Sequence, residues 1–166
     1  MDEVVLTAVM PQDTRSIGAA IAPLLRPRDA LVLTGELGAG KTTFVQGLAR
    51  GLEVEQPVAS PTFTLIREYT GRLTVAHVDV YRLDRVQEVV DLALDEVADG
   101  DAVIVVEWGD AIDELLADER LRIELTTADP TGGDETRRIA VRGRGAGWVE
   151  RWEALERALA PWGAAG

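Results

Sequence analysis

Cysteine is absent from this 166-residue chain, and histidine occurs once, as His77. Without thiols there is no disulfide and no thiolate-held metal, and a lone imidazole excludes a His-rich zinc site. Any metal must sit on oxygen ligands. Long apolar runs are missing too: none reaches the roughly 20 residues that span a bilayer. The amino-terminal MDEVV is acidic where a secretory signal is basic. No membrane segment is expected, and the expected location is cytoplasmic. Lysine is the last scarcity, since of 17 Lys and Arg residues Lys41 alone is lysine. Against those 17 stand 29 acidic residues, for a net charge of -12. A surface of that sign repels nucleic acid, so any RNA is expected to be held by another protein. The same acidity also serves plain solubility.

What remains is 46% hydrophobic, enough for one globular domain, residues 1–166, with a real core. Periodicity gives a strand at 4–10 and then a helix capped by Asp13, with Ile17, Ile21, Leu24 and Leu25 at helical spacing before Pro27. A continuously apolar strand at 30–34 precedes a helix at 41–52, as in a parallel sheet covered on both faces. Extended runs at 62–69 and 73–81 form a hairpin around Thr70-Gly71-Arg72. Helical patterns follow at 85–97 and 111–116. Between them AVIVVEW (102–108) has the strongest strand character and belongs in the middle of the sheet. A second hairpin, 121–127 with 136–141, and a helix at 148–159 close the chain. Trp148, Trp152, Leu155 and Leu159 form an apolar stripe expected to dock on the core. The fold class is α/β: a mixed, mostly parallel sheet flanked by helices, with hairpin additions.

The stretch LVLTGELGAGKTT contains G-x-x-x-x-G-K-[ST] between a strand and a helix, the context of a P-loop NTPase. Glycines let backbone N–H groups approach phosphate oxygens, and the helix N-terminus adds partial positive charge. Gly35, Glu36, Leu37, Gly38, Ala39, Gly40, Lys41, Thr42 and Thr43 are therefore the candidate nucleotide-binding residues. Lys41 suits the β- and γ-phosphates, and the Thr42 hydroxyl suits Mg2+. Such a site needs an acid on a neighbouring strand. Glu107, at the end of VIVVEW, stands where a metal-holding carboxylate belongs; the bland alternative is a solvated strand end. In HVDVYR alternation places His77, Asp79 and Tyr81 on one face. Asp79 is the second acid, able to polarise water or fix a hydrated Mg2+, against the alternative of an exposed polar face. His77 reads as a packed or surface residue rather than a catalyst. Ser60-Pro61-Thr62-Phe63 is either a γ-phosphate-sensing loop or an ordinary turn.

A GTPase reads guanine through N-K-x-D, which is ruled out because the single lysine already lies in the P-loop. A small-molecule kinase stays open, with 137–144 as its one candidate basic lid; so does a nucleotide-gated binding module without meaningful hydrolysis. GELGAGKTT, SPTFTL, HVDVYRL and VEWGD, in this order and spacing, resemble the TsaE (YjeE) family over about residues 5–125. Glu36 stands where many relatives carry Asp. The resemblance implies an ATPase of tRNA threonylcarbamoyladenosine modification. Its cofactors would be ATP and Mg2+. Its partners would be TsaD and TsaB, with tRNA met only through them. It also implies Lys41 on phosphate, Thr42 and Glu107 on Mg2+, and Asp79 as a catalytic or metal-positioning acid. Ser60, Thr62, Tyr81 and Trp108 become switch or interface candidates. Residues 7–14 lie where the first strand and helix could approach a base, although nothing in their chemistry demands it. The segment from Ala128 onward carries no matching motif.

Overall fold

A computed structural model describes residues 2–36, 38–59, 66–79, 100–107, 119–128 and 134–163. Expected helices at 85–97 and 111–116 lie outside these residues. Within them the chain runs β1 (Glu3–Ala8), α1 (Pro11–Ile21), β2 (Ala30–Thr34), α2 (Lys41–Gly51), β3 (Ile66–Tyr69), β4 (Val75–Asp79), β5 (Val103–Glu107), β6 (Arg120–Thr127), β7 (Arg137–Arg144) and α3 (Ala146–Leu159). Single 3-10 turns follow α1 at Ala22–Leu24 and α3 at Ala160–Trp162. No helix among the described residues is long and apolar enough to cross a membrane.

The seven strands form one sheet in the order β1-β7-β6-β2-β5-β4-β3. Parallel ladders join β6 to β2, β2 to β5 and β5 to β4, whereas β1–β7, β6–β7 and β3–β4 are antiparallel. The parallel centre explains the unbroken apolar runs: every residue of β2, β4 and β5 is buried. β5 lies inside the sheet, between β2 and β4. The two sequence-expected hairpins, β3–β4 and β6–β7, complete its sides.

Asp13 does not occupy the cap position expected for it. The helix begins at Pro11, whose missing N–H costs nothing there. Asp13, in the first turn, instead reaches back, its carboxylate accepting from the Val9 and Met10 N–H groups at 3.0 and 3.1 Å. That satisfies donors the turn would otherwise leave orphaned. α1 buries Ile17 and Ile21 and α2 buries Phe44, Val45 and Leu48, all in the core cluster with Leu31, Leu33, Val105 and Ile123 of the sheet. The two helices approach closely because Gly47 faces α1, where an added Cβ would lie 1.9 Å from the Arg15 carbonyl oxygen. Trp148, Leu155 and Leu159 of α3 are fully buried in the same cluster, as their stripe predicts.

The register then sets up one end of the sheet. Leu33 pairs with Glu107, and Glu107 pairs with Asp79. Both carboxylates therefore share a row and a face at the carboxyl ends of parallel strands, beside the turn that leads from β2 into α2.

Candidate functional site

Between β2 and α2 the chain must reverse in a few residues, which requires unusual backbone at glycine. Gly40, the residue preceding α2, has φ 104°, and Gly35 has φ 145°. At Gly35 a side chain would also be excluded by space, since a Cβ would sit 2.4 Å from the Leu125 carbonyl oxygen. Glycine turns before a helix N-terminus are the backbone that cradles phosphate in such sites.

Lys41 opens α2 and is buried, its Nζ donating to the carbonyl oxygens of Gly35 at 2.7 Å and Glu36 at 2.9 Å. Burial pushes its pKa below the usual lysine range; the negative charges of Glu107 and then Asp79 oppose that shift. Thr42 follows, and its Oγ1 donates to Glu107 Oε1 at 3.1 Å. Glu107 is 2% exposed and Asp79 is 8% exposed. Neither is the solvated or exposed strand residue that the bland reading allowed. His77 Nε2 lies 3.2 Å from Glu107 Oε2, although neither ring nitrogen meets hydrogen-bond geometry with a partner. The imidazole is near the carboxylate but off the line of its own N–H.

The geometry thus brings together Gly35, Glu36, Gly38, Ala39, Gly40, Lys41, Thr42, Asp79 and Glu107, with Thr43 one residue along α2. Leu37, Ser60, Thr62, Tyr81 and Trp108 lie outside the described residues. A pocket beside the loop is lined by Pro11, Thr14, Gly38, Ala39, Gly40, Thr43, Glu135 and Arg137. Two contributors there were not anticipated as site residues. Arg137 Nη2 donates to the Gly38 carbonyl oxygen at 3.4 Å across 99 positions of sequence, and Glu135 lines the same wall. The one sequence signal for Arg137 was the basic cluster at 137–144. That segment is no lid: it is β7, paired on both sides by β1 and β6.

The motif implies a divalent metal held on oxygen ligands. Among the described residues no group of three or more His, Cys, Asp or Glu side chains converges to hold an ion. Mg2+ does not need such a cage, because it keeps waters and takes one or two protein oxygens plus phosphate oxygens. A hydroxyl and a carboxylate in contact, with a second carboxylate in the adjoining register position, fit that requirement.

A strand, a glycine turn, a helix opening on Lys-Thr and an acid on the neighbouring parallel strand define a P-loop NTPase fold. The model of the family "Threonylcarbamoyl adenosine biosynthesis protein TsaE" matches residues 9–139. Similar proteins include the tRNA threonylcarbamoyladenosine biosynthesis protein TsaE of Bacillus subtilis, 43% identical over 90% of this chain and 91% of the relative. The protein of that name from Streptomyces coelicolor is 44% identical over 81% and 93%. A crystal structure of Bacillus subtilis YdiB superposes with a TM-score of 0.78 at 38% identity, covering 94% of this chain and 95% of that one. The chain belongs to the TsaE family, whose role lies in tRNA threonylcarbamoyladenosine biosynthesis.

Proposed function

We propose that this chain is a Mg-dependent ATPase, one domain spanning residues 1–166, whose ATP binding and hydrolysis drive turnover of a TsaD–TsaB complex in threonylcarbamoyladenosine modification of tRNA. It works in the cytoplasm and meets tRNA only through those partners. The observation that carries the reading is the Thr42–Glu107 contact at 3.1 Å, formed where the P-loop meets the acid-bearing strand.

In this reading the loop from Gly35 to Thr43 wraps the phosphates, and Lys41 exchanges its two loop carbonyls for β- and γ-phosphate oxygens. Thr42 and Glu107 would hold Mg2+, which would supply charge neutralisation on the phosphate oxygens. Asp79 orients a water and accepts its proton as the water oxygen bonds to the γ-phosphorus and the bond to the ADP oxygen breaks. Arg137 and Thr14, across the pocket, bound the volume left for the rest of the nucleotide. Ser60, Thr62, Tyr81 and Trp108 are assigned to sensing the nucleotide state or meeting the partners.

A small-molecule kinase of the same fold is disfavoured because its one candidate basic lid is an interior strand, β7. Removing the Lys41 ammonium deletes charge-assisted hydrogen bonds worth roughly 1.5–3 kcal/mol, on the order of 10- to 150-fold in affinity. Lys41→Ala should lower ATP affinity by that factor in calorimetry, and unchanged affinity would remove the phosphate site from the proposal.

A further inference from the structure

We infer that His77 is a positioning residue for the Glu107 carboxylate, donating from Nε2–H to Oε2; the inference rests on the role given to Glu107 above. His77 lies on β4, two residues before Asp79 and on the same face. Its ring is completely buried, 6.2 Å from the Tyr69 ring between centroids. Tyr69 is itself fixed, its hydroxyl lying within hydrogen-bond distance of the Ala59 backbone N–H and carbonyl at 3.4 and 3.3 Å. An imidazole enclosed in this way carries a polar cost that valine or isoleucine, which fill the neighbouring strand positions, would not. Stability alone therefore does not account for it.

The buried Glu107 does. Its Oε1 takes the Thr42 hydroxyl, and its Oε2 lies 3.2 Å from His77 Nε2. With a metal bound, the Thr42 hydroxyl oxygen would face it through a lone pair while its proton can stay on Oε1. His77 would be the donor for the other oxygen, keeping Oε2 occupied and Oε1 aimed at the site, as outer partners do for ligating carboxylates. The N–H and Oε2 are within reach but not aligned in this structure, so the bond forms when the ring or the carboxylate turns.

His77 is the single histidine of the chain, so its imidazole nitrogens give one unambiguous set of signals in 15N NMR of the full-length protein. The expected result is a proton on Nε2 and a change in that signal in Glu107→Gln. An unprotonated Nε2, or a spectrum indifferent to Glu107→Gln, would overturn the inference, and neither reading depends on activity. Kinetics supply the second arm: His77→Ala should lower kcat for ATP hydrolysis roughly 10- to 100-fold with little change in KM. His77→Gln, whose amide N–H reaches the Nε2 position, should restore most of the rate, and His77→Asn, which mimics Nδ1, should not. Equal rates for the Gln and Asn variants would overturn it, and both are close enough in size to fold if the alanine variant does not. A wild-type protein that hydrolyses no Mg-ATP would refute the ATPase reading, while the NMR result still decides the His77–Glu107 pairing.

Discussion

At the scale of single residues, Lys41 carries the most direct consequence. Burial holds its pKa below the usual lysine range, despite the two nearby carboxylates. Phosphate binds the ammonium and not the amine, so the binding-competent form begins to disappear at a lower pH than for an exposed lysine. ATP affinity should therefore decline as pH rises toward the usual lysine range, and in that window binding should take up protons. Calorimetry in buffers of different ionisation enthalpy checks this; affinity that stays constant until above that range would contradict it. Lys41, Thr42 and Glu107 could be singled out from the sequence because loop, helix start and strand end each carry a local signature. Asp79 was ambiguous, since strand alternation says which residues share a face but not whether that face is covered. Arg137 and Glu135 were illegible as pocket residues, because only the β6–β7 pairing brings them beside Gly38.

Among elements, α3 shows how a docking stripe can conceal a polar lock. Trp148, Trp152, Leu155 and Leu159 announce a buried face by spacing, but Arg151, lying between them, is also buried. Its guanidinium donates to both Asp29 oxygens, at 2.6 and 3.0 Å, and to the Leu24 carbonyl at 2.8 Å. It also lies 3.8 Å over the Trp148 ring. Asp29 in turn accepts from the Arg26 N–H at 2.7 Å, so the α1–β2 connection and α3 are joined through one carboxylate. Asp29→Ala leaves a buried cation without its anion and should cost roughly 3–5 kcal/mol in urea denaturation. A loss below about 1 kcal/mol, the range of exposed pairs, would contradict this account of how α3 is fixed. No periodicity could have shown the pair, since Asp29 and Arg151 are 122 positions apart. The helices and strands themselves were more readable, and at α1 the Asp13 side chain serves the backbone from inside the helix instead of before it.

For the molecule as a whole, the parallel centre of the sheet aims the ends of β2, β4 and β5 at one place, and the antiparallel pairs extend the sheet beyond it. That arrangement gathers the candidate catalytic groups around one nucleotide-sized turn. The net charge of -12 disfavours direct contact with RNA phosphates, as the proposed function requires. In the proposed cycle the chain would hydrolyse slowly alone and faster in the complex, with conformational steps setting its turnover. The decisive measurement is phosphate release from Mg-ATP by the full chain, alone and with purified TsaD and TsaB. Marked stimulation by the partners, abolished by Lys41→Ala and by Glu107→Ala, is the expected result. Release that the partners leave unchanged, or that survives both substitutions, would contradict the proposed ATPase.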